Sequence, residues 1–315
     1  MLANVPIFLC AAPVPKRRMR PLYLILLLLM NFCWAAVYSA YKVMGASIPT
    51  GGIVTLRFGI AGLCLLLVWR WLPGPAPRGR QFWLSCLMGL VLFVIGQRLQ
   101  VYGTVLGTAG NSSVLMAVEP LLTSIAAALF LRERIGPRRL AGFVLGLLGV
   151  AMLHGVWRPD FQWTGLVPSL IFLSSFVCEA AYSVIGKPIV ERASVMKMVA
   201  ISLLVGTAVN LAIDGPSTIV ISRSLSPQAW GLLLFLAVIC TAVGYSLWFL
   251  VIRDCPINVA ALTIFAQSLF GVLIAWLWVG EKLHFGHLMG SLTIIGGLAV
   301  GLSRQIQTPA VQNPV

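Results

Sequence analysis

Charge is what this sequence has least of. Only 10% of its 315 residues are Asp, Glu, Lys or Arg, and eight of them are acidic. An ordinary soluble domain carries about 25% charged residues, so a water-solvated fold is excluded. Eight acidic against 22 basic residues leave a net charge of +14. In a chain that is 59% hydrophobic with a mean hydropathy of +0.97, that excess points to the positive-inside rule and not to nucleic acid, because the basic residues sit in short loops between apolar runs. HExxH, paired Asp clusters and a Ser/His pair at membrane depth are missing, which argues against a membrane-embedded enzyme. No GxxxxGK[ST] loop is present, so ATP is not the direct energy source. No CxxC occurs. The seven cysteines (Cys10, Cys33, Cys64, Cys86, Cys178, Cys240 and Cys255) are scattered, mostly inside apolar runs, as reduced packing residues are. His284-x-x-His287 has helical spacing but no third ligand nearby, so neither metal nor cofactor is expected. The N-terminal charges follow the short apolar piece, the wrong order for a secretory signal.

What is present is a series of apolar runs. They fall at about 22–42, 51–72, 82–102, 110–131, 138–155, 164–186, 195–213, 229–252, 257–279 and 285–303, each near the ~20 residues a bilayer needs. The expected fold is an all-α polytopic membrane protein of ten transmembrane helices. Pro73 to Arg80 forms one loop, and Asp214 to Gln228, with Gly215-Pro216 and Ser226-Pro227, is expected to be the longest. An internal repeat organises the chain. Glu133 and Glu281 are 148 residues apart, and at that offset Gly142 meets Gly290, Gly149 meets Gly297 and Glu119 meets Gln267. A repeat with an odd number of spans is inverted across the membrane and places its site between the halves. The organisation expected is therefore a tail over 1–20, five-helix repeats over 21–155 and 164–303 around a central cavity, and a tail over 304–315. With the N-terminus cytoplasmic, sixteen Lys and Arg fall on the cytoplasmic side and five outside, with Arg57 within the membrane. Both termini are expected in the cytoplasm. Gly142, Gly146 and Gly149 permit close helix packing.

The candidate site residues are the polar groups at membrane depth. Glu119, followed by Pro120, costs roughly 2.5–3.5 kcal/mol at the centre of a span, and the proline weakens the helix beside it. Together they suggest a polar cavity. Asn31, Glu179 and Gln267 also fall near the midpoints of their spans. On the sixth span Ser175, Glu179, Tyr182, Ser183 and Gly186 share a face; on the first, Asn31, Trp34, Tyr38, Tyr41 and Lys42 form a similar stripe. Two carboxylates, amides and aromatic walls suit an amine-bearing or aromatic solute, and Glu119 or Glu179 can carry a proton. Each has a structural alternative. Glu119 can pair with Arg57 or Arg98, Glu179 with Lys187, and Gln267 can join helices through its amide. Lys42 belongs to the same intramembrane charges; Arg57 and Arg98 lie toward the outer side, where they bind an anionic group or snorkel. Glu133 and Glu281 are expected to be structural, capping the next helix or pairing with Arg138 or Lys282.

Five motifs carry a family resemblance. Trp34 through Lys42 resembles the first-helix W-G-x-x-x-x-x-x-K pattern of EamA-type carriers of the drug/metabolite transporter superfamily. Leu56-Arg57-Phe58 resembles their L-R-F. Glu119-Pro120 and Arg132-Glu133-Arg134 resemble their E-P and G-E-R, and Gly280-Glu281-Lys282 a second G-E-R. Ala35 and Arg132 stand where the pattern has glycine, and Gln267-Ser268 where the second copy would have E-P. The resemblance spans about 22–303. It implies two inverted five-helix repeats and a bacterial inner-membrane carrier, often an exporter of amino acids or other small metabolites. The expected function is a secondary transporter, with a proton as one coupling partner. A passive channel or small-lipid flippase on the same fold is the competing class. The expected partners are a small metabolite, membrane lipid and a second copy of the chain.

Overall fold

The computed structural model describes residues 19–107, 112, 114–159, 165–274 and 285–303. They are helical, and eight of their helices are long and apolar enough to cross a membrane: α1 Pro21–Gly45, α2 Thr50–Leu67, α3 Arg80–Leu106, α6 Leu166–Val190, α7 Val195–Ser222, α8 Pro227–Asp254, α9 Ile257–Ile274 and α10 Phe285–Leu302. The described residues also form the shorter apolar helix α4, Met116–Leu131, and α5, Pro137–His154, which carries Arg138 and Arg139 in its first turn. The helices are amphipathic in reverse. Large side chains such as Leu67, Leu129 and Phe285 face outward, while Arg57, Gln97, Lys187 and Asn210 are buried, as a lipid surround requires.

The repeat is visible in the irregularities of the helices. α3 contains a π-helical stretch, Gly89–Gly96, and α8 contains another, Phe235–Val243. Wider turns of this kind frequently mark functional sites. They end against Gly96 and Gly244, which are 148 residues apart. A Cβ on Gly96 would lie 2.6 Å from Cys178 Cβ, and one on Gly244 would lie 3.1 Å from Met30 Sδ; Met30 and Cys178 are also 148 apart. α4 begins with a 3-10 turn, Met116–Val118, immediately before Glu119. α9 is interrupted at Thr263 and Ile264, the same place in the second half. α1 is interrupted once, at Ala36.

The most extensive helix pairs join one half to the other: α5 to α10, α3 to α6 and α2 to α7. The α5–α10 contact is backbone on backbone. A Cβ on Gly142 would meet Gly297 O and Gly301 Cα at 2.9 Å, and one on Gly149 would meet Gly290 O at 2.9 Å. Only glycine permits this approach. The register rises along one helix as it falls along the other, so α5 and α10 are antiparallel.

One sequence expectation is corrected here. Asp214 to Gln228 is not a loop, because α7 runs 28 residues to Ser222 with Pro216 inside it. Proline removes one backbone donor, but a membrane helix tolerates that when neighbours fix the turn. Here Asp214 is ion-paired to Arg98, and Ser217 Oγ donates to Asp214 O at 2.9 Å. The connection is confined to Arg223 through Ser226, where Ser226 accepts from Ala229 N at 3.2 Å and caps α8. Arg132 ends α4 in the left-handed region, φ 55 and ψ 31, at the position where the family pattern has glycine. A side chain there costs roughly 1–2 kcal/mol. Arg132→Gly is expected to stabilise the protein by about 0.5–1 kcal/mol after glycine's own entropy cost. A melting temperature in detergent that fails to rise contradicts this.

Candidate functional site

The irregular segments converge on one buried cavity of about 60 Å³, room for a few water molecules. α1 contributes Trp34, Val37 and Tyr38; α2 contributes Arg57 and α3 Gln100. Glu119 of α4 and Glu179 of α6 supply carboxylates, and Tyr245 of α8 and Gln267 of α9 complete the wall. Both halves of the chain therefore line it. Trp34 is held in place by Nε1 donating to Cys240 O at 2.8 Å, and Tyr38 packs edge-on against Phe172 with centroids 5.6 Å apart.

A hydrogen-bonded relay links the cavity's cation to one of its carboxylates. Arg57, 3% exposed, donates through Nη1 to Tyr41 OH and through Nε to Thr241 Oγ1 at 2.8 Å. Tyr41 OH donates to Gln97 Oε1 at 3.0 Å. Gln97 Nε2 donates to Glu179 Oε1 at 2.8 Å, which also accepts from Tyr245 OH at 3.2 Å. Every link is polarised in the same sense, from guanidinium to carboxylate, the arrangement in which such bonds reinforce one another. The guanidinium also lies over the Phe58 ring, 5.0 Å from its centroid. Among the described residues, the hydrogen bonds to a cavity carboxylate go to Glu179 and none to Glu119.

The polar groups bonded to the lining residue Gln267 are neutral. Gln267 Nε2 donates to Asn31 Oδ1 at 2.8 Å, and Asn31 Nδ2 donates to Thr263 Oγ1 at 3.1 Å. This network spans the interruption of α9. Asn31 and Gln267 are buried, at 0% and 5% exposed.

The other candidates are at the ends of the bundle or in its core. Tyr182 does not line the cavity; its ring packs against Phe93, Tyr245 and Phe249. Lys42 lies at one end, donating to Val105 O and Gly107 O at 2.8 and 2.6 Å. Arg98 bonds Asn210 and Asp214 of α7. Neither pairs with Glu119. Glu133 has partners other than those expected. It reaches into the other half, pairing with Lys187 at 2.7 Å and accepting from Ile257 N at 2.9 Å and Asn258 N at 3.2 Å, the first turn of α9. Lys187 also donates to Cys255 O at 2.8 Å. Lys187 thus belongs to Glu133 and not to Glu179. Glu281 lies outside the described residues. The sequence missed Gln97, Gln100 and Tyr245 as site residues. Gln97 and Tyr245 are themselves 148 residues apart and in contact, Nε2 to OH 3.4 Å, so the repeat offset could have found them.

Apolar helices wrapped around a polar cavity define a multi-pass membrane protein. The EamA-like transporter family model matches residues 21–154 and again 167–302, and the chain belongs to that family. It is a multi-pass membrane transporter. Among its relatives, a protein of Streptantibioticus cattleyicolor named as a probable terminal-alkyne amino-acid exporter is 23% identical over 90% of this chain and 96% of its own. The Bacillus subtilis uncharacterized transporter YetK is 22% identical over 88% of each chain. A solved crystal structure, 20% identical, superposes with a TM-score of 0.71 over 89% of this chain and 96% of its own, a likeness of fold.

Proposed function

We propose that the protein is a bacterial inner-membrane secondary transporter that exports amino acids or other small metabolites and couples their movement to protons through Glu119. The observation that carries this reading is the polar cavity to which both family copies contribute and in which Glu119 stands without a hydrogen bond among the described residues. An alternating-access carrier needs one site that each side reaches in turn, and the interface between repeats supplies it. The amino-acid assignment draws on the name of the Streptantibioticus relative and on a cavity that offers carboxylates, a guanidinium and aromatic walls.

The same reading counts α4 and α5 among the spans, giving ten, with the halves inverted about an axis in the membrane plane. Antiparallel packing of α5 on α10, with Gly142 on Gly297 and Gly149 on Gly290, supports it, since copies related by an axis along the membrane normal would run parallel. It places both termini in the cytoplasm and the Glu133–Lys187 pair at the cytoplasmic end. A reporter fused after Trp157 is expected to read out as periplasmic; a cytoplasmic signal there breaks the ten-span model. Function is tested by uptake and efflux of a metabolite panel in proteoliposomes, with and without a pH gradient. A panel that includes amino acids and shows no protein-dependent flux under either condition overturns the transport reading.

A further inference from the structure

The repeat relates the two cavity acids to two amides residue by residue. At the 148 offset Asn31 corresponds to Glu179 and Gln267 to Glu119, and the matched contacts Gly96–Cys178 and Gly244–Met30 show that the offset holds in three dimensions. The carboxylic acids of the cavity wall therefore correspond to a pair of hydrogen-bonded amides, of which Gln267 lines the cavity and Asn31 lies behind it. Amides take up neither a proton nor an ammonium charge.

Charge can then be counted. Among the described residues, the charged groups on the cavity wall are Arg57, Glu119 and Glu179. Arg57 is always cationic, and the relay through Tyr41 and Gln97 commits it to Glu179. A buried charge is tolerated only when it is balanced. One negative charge, that of Glu119, is left for the cavity's contents to balance.

We propose that this transporter holds one positive charge at a time in its cavity, a proton or a single ammonium group, and that the amides of Gln267 and Asn31 set this limit. The inference rests on the transport reading above and narrows its substrate class. Solutes with one ammonium group fit, and diamines, which carry a second, are rejected. Were Gln267 acidic, as its counterpart Glu119 is, the cavity would accommodate a second cationic centre.

Calorimetric titration of the full chain in detergent with butylamine and 1,4-diaminobutane tests this, at two buffer ionisation enthalpies so that released protons are counted. The wild type is expected to bind butylamine at least tenfold more tightly than the diamine and to release no more than one proton per amine bound. Gln267→Glu is expected to reverse the preference. A wild type that binds the diamine as tightly as butylamine, or releases two protons per amine, overturns the proposal, as does a folded Gln267→Glu variant that keeps the wild-type preference. The proton count and the wild-type ratio do not depend on the variant folding. If neither amine binds while proteoliposomes still carry other metabolites, the charge limit is wrong and the transport reading stands. If no solute is carried at all, the transport reading itself has failed.

Discussion

Replacing Glu119 by Gln is expected to leave the protein folded and to abolish net transport driven by a proton gradient. The substitution preserves volume and one acceptor oxygen but removes the proton site. Folding should be spared because, among the described residues, no hydrogen bond to Glu119 is lost, whereas Glu179 is held by Gln97 and Tyr245. Substrate–substrate exchange, which moves no net proton, is expected to persist. Glu119→Asp retains the acid on a shorter stem and is expected to keep partial activity with a displaced pH optimum. The measurement is flux in proteoliposomes under an imposed pH gradient. Uphill transport by Glu119→Gln at the wild-type rate and pH profile would remove the coupling role from Glu119 and leave Glu179 as the acid to test.

The second large effect is one of stability. Lys187→Met deletes one partner of an ion pair whose side chains are 2% and 5% exposed. Removing one member of such a pair strands the other charge and typically costs about 3–5 kcal/mol. Glu133 would keep its bonds to Ile257 N, Asn258 N and Asn258 Nδ2, which softens the loss without replacing the cation. A Lys187→Met/Glu133→Gln double variant is expected to recover part of it, because the stranded charge goes with Lys187's partner. Melting temperature and detergent-extracted yield report the outcome. A single variant as stable as the wild type would show that the pair is not energetically significant.

The parts of this molecule that were legible in the sequence are those that composition and the repeat encode locally. The apolar runs, the glycine faces of α5 and α10 and the pairing of Glu119 with Gln267 follow from spacing alone. What the spacing did not carry is direction in three dimensions. For Arg57 the sequence leaves anion binding and snorkelling open, because depth is visible in sequence and orientation is not; the side chain turns to Tyr41 and Thr241. Sequence matches Glu133 to its neighbour along the chain, Arg138, whereas its partner Lys187 is 54 residues away in the other half. Tyr182 lies on the same helix face as Glu179 but packs into the aromatic core, since a shared face does not fix which neighbour meets it. Gly215-Pro216 resembled a chain break because local propensity favours one, and the ion pair at Asp214 keeps that turn helical.

The glycine contact between α5 and α10 has a mechanical consequence. With main chain seated against main chain at Gly142–Gly297 and Gly149–Gly290, no side chain lies between the helices at those points that could change rotamer to let them slide. The two helices are therefore expected to behave as a single stiff strut, and any large rearrangement has to be taken up elsewhere. The compliant places are the turns where regular helix is already lost, before Glu119 in α4 and at Thr263 in α9. Flexing there would tilt the carboxylate wall and the amide wall about a fixed post, so that loading of the cavity is sensed at the joints and not at the strut.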